Sequence, residues 1–152
     1  MFFLGNPILR NDRIGLLIGA RLKEQIGSRE GFEVREFVGS PLSLLTEIQG
    51  RRQLIIIDSI VSGSLEKGSI AVFGKEEIRS FSKTLYPHGM NLPEVVALSE
   101  KLGIELPGKM ILIGIEVGRI ERFGESLDPD LEERLEDIYQ GVCRCIEDFL
   151  GD

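Results

Sequence analysis

Several features that mark common classes of protein are missing from this 152-residue chain. It has no run of basic residues and carries a formal net charge of −7, which argues against nucleic acid or an anionic membrane surface as its main partner. No apolar stretch approaches the roughly 18 residues that cross a bilayer, and the opening MFFL is too short for a signal peptide. We therefore expect neither a membrane nor a nucleic-acid partner.

Cysteine is scarce as well, because Cys143 and Cys145 are the only two in the chain. They are two residues apart on a predicted helix, so their side chains point to roughly opposite sides. That spacing disfavours both a disulfide between them and a shared metal ion. A reduced, cytoplasmic protein is the expectation that follows.

The motifs of several enzyme classes are also lacking. With His88 as the single histidine, the chain cannot contain the HExxH motif of zinc proteases, and it has no Walker phosphate loop. The segment Gly5-Asn6-Pro7 lacks the further glycines of a dinucleotide-binding fingerprint. Ser59 and Ser62 follow Asp58 closely, but nothing in the sequence makes His88 their base, so a serine nucleophile is not favoured.

What the sequence does contain is a regular alternation of strand and helix patterns. Its 42% hydrophobic and 28% charged residues are typical of one globular domain, and we take residues 1–152 as that domain. The predicted strands cover residues 2–4, 32–38, 53–58, 68–73 and 109–116. The predicted helices cover residues 14–26, 41–48 and 91–102, and a long final helix begins at Asp128 and Pro129.

This alternation predicts an α/β protein: a single-domain, three-layer α/β/α fold with a five-stranded, mostly parallel twisted sheet, of the phosphorylase/hydrolase-like type. The continuous run of Leu and Ile at residues 54–57 is typical of a central strand covered on both faces. Ligands of such sheets bind beyond the carboxyl ends of the strands, where the strand order reverses. Function is therefore expected at that edge.

Two carboxylates are expected at this edge. Asp12 lies in the loop after the first strand, and Asp58 directly follows the central apolar run. If the two strands are neighbours, their axes lie roughly 4.8 Å apart and both carboxylates can reach one cation or one water. The alternatives are structural, since Asp12 could cap the next helix and Asp58 could cap the turn at residues 59–63.

His88 is the third candidate. It lies between Pro87 and Gly89, just before a predicted helix, and Pro87 restricts the backbone of this loop. A solitary histidine can equally be incidental. Together with Asp12 and Asp58 it forms a mixed oxygen and nitrogen set that suits zinc, nickel or manganese with open coordination positions.

Five segments of the chain carry a family resemblance. The first loop reads GNPILRNDRIG at residues 5–15, the central strand ends in DSIVSG at residues 58–63, and HGMNL occupies residues 88–92. A strand start reads GSI at residues 68–70, and a strand end reads GIE at residues 114–116. In order and spacing, from about residue 4 to residue 147, the chain resembles the hydrogenase maturation proteases, endopeptidases that trim the C-terminus of nickel–iron hydrogenase large subunits.

The resemblance implies that Asp12, Asp58 and His88 are both the metal-binding and the catalytic residues of an aspartyl-type or metal-dependent endopeptidase. It implies a large-subunit precursor as partner, with nickel supplied by that precursor, no organic cofactor and a monomeric enzyme. The chain departs from the family pattern at Asn11, where a second acid is common, and at Arg13, where a small residue is common. Asp12 then carries the acidic role alone, and Arg13 contacts either acidic groups of the substrate or solvent.

Other interpretations remain open at this point. A hydrolase with a permanently bound metal could use the same three residues, and a nickel-dependent chaperone could hold the precursor without cutting it. Within the protease interpretation, the metal could polarise the carbonyl or activate water, or an Asp could act as general base. The sequence does not separate these mechanisms.

Overall fold

The computed structural model describes residues 1–27, 30–80 and 92–151. Strands and helices alternate along these residues. In chain order the elements are β1 (Phe2–Phe3), α1 (Ile14–Ile26), β2 (Arg35–Glu36), α2 (Pro41–Ile48), β3 (Gln53–Ile60), β4 (Ile70–Gly74), α3 (Lys75–Ser80), α4 (Leu92–Leu102), β5 (Lys109–Glu116), α5 (Pro129–Glu133) and α6 (Leu135–Gly151).

The strands form one five-stranded sheet in the order β2-β1-β3-β5-β4. β1 pairs in parallel with both β2 and β3, and β3 pairs in parallel with β5, while β4 runs antiparallel to β5 at the edge. The predicted mostly parallel sheet is confirmed, and so is the central position of residues 54–57, which are all buried. Since β1 and β3 are neighbours, the loops that follow them open at the same edge.

Helices cover both faces of the sheet, because successive residues of β3 point to opposite sides. Ile55 and Ile57 pack with the apolar stripes of α1 and α6 in one cluster. Leu54 and Ile56 pack with α2, α3 and α4 in the other. The result is the expected three-layer α/β/α arrangement.

The first two strands are shorter than predicted, and the central strand is longer. β2 is limited to Arg35–Glu36 because it pairs only with the two residues of β1. β3 does not end at Asp58 but continues through Ser59 to Ile60, because these residues keep pairing with β5, as Ser59↔Ile115 and Ile60↔Glu116. Asp58 is therefore a residue within a strand and not a turn residue after it.

The C-terminal helix also differs from the prediction. The apolar stripe is carried by two helices, α5 and α6, with Arg134 between them at φ −94° and ψ 1°. Asp128 is the N-cap of α5 only, and its side chain makes no capping hydrogen bond. Because the apolar residues keep helical spacing across the break, periodicity alone cannot reveal it.

Two further differences concern the middle of the chain. The short helix α3 follows β4 directly and was not predicted. The predicted cap Asn91 of α4 lies outside the described residues. Among the residues described, no helix combines the length and the apolar character that crossing a bilayer requires.

Candidate active site at the carboxyl edge of the sheet

β3 delivers two polar side chains to the carboxyl edge of the sheet. Asp58 and Ser59 are adjacent in the strand, so their side chains point to opposite faces. Ser59 therefore faces the side on which α1 packs, and Asp58 faces the side of α2 and α4. Both residues are buried, at 3% and 2% exposure.

The close packing of α1 onto β1 and β3 brings Asp12 to the same place. A Cβ added to Gly15, in the first turn of α1, would lie 2.2 Å from the Leu4 carbonyl oxygen and 3.5 Å from that of Ile57. A Cβ at Gly5 would lie 2.4 Å from the Asp12 carbonyl oxygen. The two glycines of GNPILRNDRIG thus allow the loop and the helix to sit directly on the strand ends.

Ser59 connects the two carboxylates. Its hydroxyl donates a short hydrogen bond to Asp12 Oδ1, and its backbone N–H donates to Asp58 Oδ1 at 2.8 Å. Asp12 is buried at 3% exposure. The structure therefore brings Asp12 and Asp58 into one buried polar cluster, which we call the Asp–Ser–Asp cluster (Asp12, Ser59 and Asp58).

The turn-cap alternative for Asp58 finds no support in this geometry. The N-cap of α1 is Arg13, whose side chain makes no capping hydrogen bond, and Asp12 is directed to Ser59. Asp58 lies within β3 and caps no turn. The position of Asp58 is therefore not explained by turn capping, and Asp12 makes a tertiary contact through Ser59.

Burial dominates the electrostatics of Asp58. Loss of water raises the pKa of Asp58 well above its usual 3.8, and the nearby Asp12 carboxylate raises it further, while the hydrogen bond from the Ser59 N–H opposes both. A carboxyl group in this setting favours its protonated form. A cation placed between the two carboxylates would favour the ionised form instead.

Asn11 holds the first loop in place. Its side-chain NH₂ donates to Asp128 Oδ2 at 2.9 Å and to the Arg119 carbonyl at 3.1 Å, and its Oδ1 accepts from the Asp128 backbone N–H at 3.0 Å. A carboxylate could not make the two donor contacts. The amide at this position therefore fastens the loop that carries Asp12 to the segment after β5.

Glu116 performs a similar task for the loop after β3. This residue is 1% exposed, and its carboxylate accepts hydrogen bonds from the backbone N–H and the hydroxyl of Ser62, at 2.8 and 2.6 Å, and from the Gly118 N–H at 2.9 Å. The carboxylate thus ties the end of β5 to the chain that leaves β3. Sequence reasoning saw Glu116 only as the end of a strand motif, although an acid that ends an apolar run signals a buried charge in need of donors.

Ser59 and Asn11 were also missed as contributors to the site. Sequence reasoning considered Ser59 only as a nucleophile and Asn11 only as the loss of an acid. Arg13 is a third case, because its Nη1 is buried and has no hydrogen-bond partner within the described residues. Contact of Arg13 with acidic groups of the substrate stays a prediction.

His88, the third predicted site residue, lies outside the described residues, so its place relative to the cluster stays a prediction. Within residues 1–27, 30–80 and 92–151, no three His, Cys, Asp or Glu side chains gather as a metal site. The two carboxylates supply oxygen ligands suited to a divalent cation, but they need further ligands from elsewhere. Chemically, the cluster can bind a cation with its two acids or accept a proton from water.

Comparison with known proteins identifies the family of the chain. A sequence model described as HycI, hydrogenase maturation protease, matches residues 17–145, a range that includes Asp58 and begins after the loop of Asp12. The hydrogenase 2 maturation protease of Escherichia coli (strain K12) is 26% identical over 146 residues, which cover 95% of this chain and 88% of that protein.

Solved structures are similar as well. The solution structure of an endopeptidase from Escherichia coli has a TM-score of 0.77 and 26% sequence identity, and the match covers 97% of this chain and 90% of that one. The hydrogenase maturating endopeptidase HybD from E. coli has a TM-score of 0.72 at 23% identity, with 97% and 90% coverage, a likeness that supports the fold alone.

Proposed function

This chain belongs to the hydrogenase maturation protease family, and we propose that it removes the C-terminal extension of a nickel–iron hydrogenase large-subunit precursor after nickel has been inserted. The observation that carries the proposal is the Asp–Ser–Asp cluster at the carboxyl edge of β1 and β3. It supplies two acids, held in a defined relation, at the position where open α/β sheets bind their ligands.

Nickel acts here as part of the substrate. Asp12 and Asp58, with His88 from its own loop, complete the coordination of an ion that the precursor already holds. Two buried acids repel each other when both are ionised, and a divalent cation removes that repulsion. A precursor without nickel does not relieve this repulsion. Binding of the precursor therefore depends on the metal being in place.

Two routes lead from docking to hydrolysis. The substrate's nickel can polarise the scissile carbonyl or lower the pKa of an attacking water. Alternatively, the ionised Asp58 carboxylate accepts the proton of that water as general base. In both routes the Ser59 hydroxyl keeps Asp12 in one orientation.

The test uses purified enzyme and precursor that is loaded with nickel, loaded with iron alone, or left empty, and follows loss of the tail by mass spectrometry. We expect cleavage of the nickel-loaded precursor only. Asp12→Asn, Asp58→Asn and His88→Ala should each abolish processing. Asp137 is an exposed residue of α6, and Asp137→Asn is the matched control. This variant should cleave the precursor at the wild-type rate.

Three results would contradict parts of the proposal. Equal cutting of the empty precursor would contradict the requirement for nickel in the substrate. Undiminished activity of Asp58→Asn would contradict the assignment of the site. Stoichiometric zinc that stays with the enzyme through chelation would favour a hydrolase with a permanent metal. A precursor that binds tightly but keeps its tail on prolonged incubation would favour a chaperone.

A further inference from the structure

A cationic cavity lies beside the Asp–Ser–Asp cluster. It has a volume of about 320 Å³ and is formed where the first loop, the loop before β4 and the segment after β5 meet. Asn11, which precedes Asp12 in the chain, lines it. Val117 lines it too, and the Val117 N–H donates to the carbonyl of Ile60, the last residue of the strand that carries Asp58 and Ser59. The cavity and the cluster therefore share the carboxyl edge of the sheet.

The charge of this cavity contrasts with that of the whole chain. Four cationic side chains and one carboxylate line it: Arg10, Lys67, Arg119, Arg122 and Asp128. The chain as a whole has a formal net charge of −7. A local excess of positive charge in an acidic protein indicates a surface that attracts an anion.

Only part of that positive charge is neutralised from within. Lys67 Nζ contacts Asp128 Oδ2 at 2.8 Å and Asp130 Oδ1 at 2.9 Å, and Arg10 Nε lies 3.7 Å from Asp128 Oδ1. Among the described residues, Arg119 and Arg122 have no acidic partner. Both arginines are exposed, so their guanidinium groups remain available to carboxylates from another molecule.

Exposed apolar side chains flank the cavity. The backbone of the first loop pairs with the segment after β5, through Arg10 N–H to the Arg122 carbonyl at 2.9 Å and Gly124 N–H to the Ile8 carbonyl at 3.0 Å. On this pair of segments Ile8 is 60% exposed and Phe123 is 76% exposed. Cations beside apolar side chains suit a peptide that carries both carboxylates and apolar side chains.

We propose that this cavity binds carboxylate groups of the precursor's C-terminal extension, with Arg119 and Arg122 as the binding residues and Ile8 and Phe123 as apolar contacts. The inference rests on the proposed function, since it assumes that a C-terminal extension is the substrate. A carboxylate bound in this cavity lies at the same edge of the sheet as Asp12 and Asp58, but apart from them. The cavity therefore anchors the part of the tail beyond the scissile bond. It determines which tails are accepted, and the cluster performs the cleavage.

The experiment measures kcat and KM for cleavage of nickel-loaded precursor by wild type, by the double variant Arg119→Glu/Arg122→Glu, and by Arg144→Glu. Arg144 is an exposed arginine on α6 without an acidic partner in the described structure, and it serves as the matched control. We expect the double variant to raise KM at least about fivefold with little change in kcat, because each exposed ion pair contributes modestly. The control should leave both constants unchanged.

Two changes to the precursor identify the carboxylate. In one its tail Asp and Glu residues become Asn and Gln, and in the other its terminal carboxylate is converted to an amide by ligation. The change that removes the bound group should raise the wild-type KM and add no further loss in the double variant, as a double-mutant cycle requires. Raising the salt concentration should weaken wild-type binding more than that of the double variant.

The outcomes separate the two proposals. If wild type does not cut the nickel-loaded precursor, the proposed function fails. If wild type cuts but the double variant has the wild-type KM, or if both altered precursors are cut with the wild-type KM, the cavity proposal is overturned and the proposed function stands.

Discussion

At the scale of single residues, Asn11 shows how one amide can decide the geometry of a neighbouring acid. Its NH₂ group points at acceptors only, namely the Asp128 carboxylate and the carbonyls of Val117 and Arg119. The position often carries an acid in the family that this chain resembles. In this chain an acid in place of Asn11 would face the Asp128 carboxylate.

Asn11→Asp should therefore destabilise the fold by about 1 to 3 kcal/mol, since the Asp128 carboxylate and two carbonyls would face a second acceptor. Chemical denaturation measures the loss. Adding Asp128→Asn should recover part of it by restoring a donor. Asn6→Asp is the matched control, because Asn6 uses only its Oδ1, which accepts the Ile8 N–H at 3.1 Å, and an Asp can do the same. A loss in the control equal to that of Asn11→Asp would refute the explanation.

Asp58 carries a stability cost that depends on pH. Its pKa is raised in the folded state, so between pH 3.8 and that raised value the native state binds more protons than the unfolded state. Stability then falls as pH rises through this window. Below pH 3.8 the carboxyl is protonated in both states and the cost disappears.

Asp58→Asn should accordingly raise the thermal midpoint at pH 7, by about 3 °C or more, and should leave it nearly unchanged at pH 3.5. The Asn Oδ1 can keep the hydrogen bond from the Ser59 N–H. Differential scanning calorimetry at the two pH values measures the effect. An equal gain at both pH values would mean that the benefit does not come from ionisation. The same variant should be inactive, so activity and stability change in opposite directions.

At the scale of elements, the seating of α1 on β1 and β3 creates the site. Two glycines, Gly15 and Gly19, face the sheet, and a Cβ at Gly19 would lie 1.9 Å from the Phe3 ring. The helix can approach this closely only because neither residue has a side chain. The two residues of β1 are enough to fix the start of the first loop, because they pair with strands on both sides and α1 packs against them.

Gly15→Ala should move α1 away from the strand ends, because the methyl group would meet the backbone oxygen of Leu4, which cannot rotate away. We expect a loss of about 2 kcal/mol or more and slower processing, since Asp12 moves with the start of the helix. Gly151→Ala, where an added Cβ meets nothing within 4 Å, is the control and should be neutral. Urea denaturation and the processing assay report the two effects, and an unchanged Gly15→Ala variant would contradict this account of the site.

At the scale of the whole molecule, the sheet separates two apolar clusters that share its strands. Alternate residues of β3 and β5 belong to one cluster or the other. The assignment of residues 1–152 to one domain agrees with this shared sheet but stays a prediction, as do the monomeric state and the cytoplasmic location. The distribution of charge is uneven at this scale, with a cationic cavity at the functional edge of an acidic chain.

Much of the architecture was predictable because local patterns carry it. The buried run at residues 54–57 predicts a central strand whatever its neighbours are, and helical spacing marks α1 and α2 with the bounds that the structure has. The ends of β2 and β3 were predicted wrongly because strand length is set by the pairing partner. β2 has only two residues of β1 to pair with, whereas β3 continues to Ile60 along β5.

The same distinction holds for the site. The sequence by itself placed one acid after the first strand and another at the end of the central apolar run, and it predicted that the two meet if those strands are neighbours. The structure showed that β1 and β3 are neighbours. Only the tertiary structure decided that Ser59 joins Asp12 to Asp58. It also decided that Asn11 and Glu116 fasten the loops. The common cavity of Arg119, Arg122 and Lys67 likewise exists only in the folded chain. Those contacts join residues as far as 117 positions apart. Side-chain partners at such separations follow from how helices, strands and loops pack in three dimensions, which no local pattern encodes.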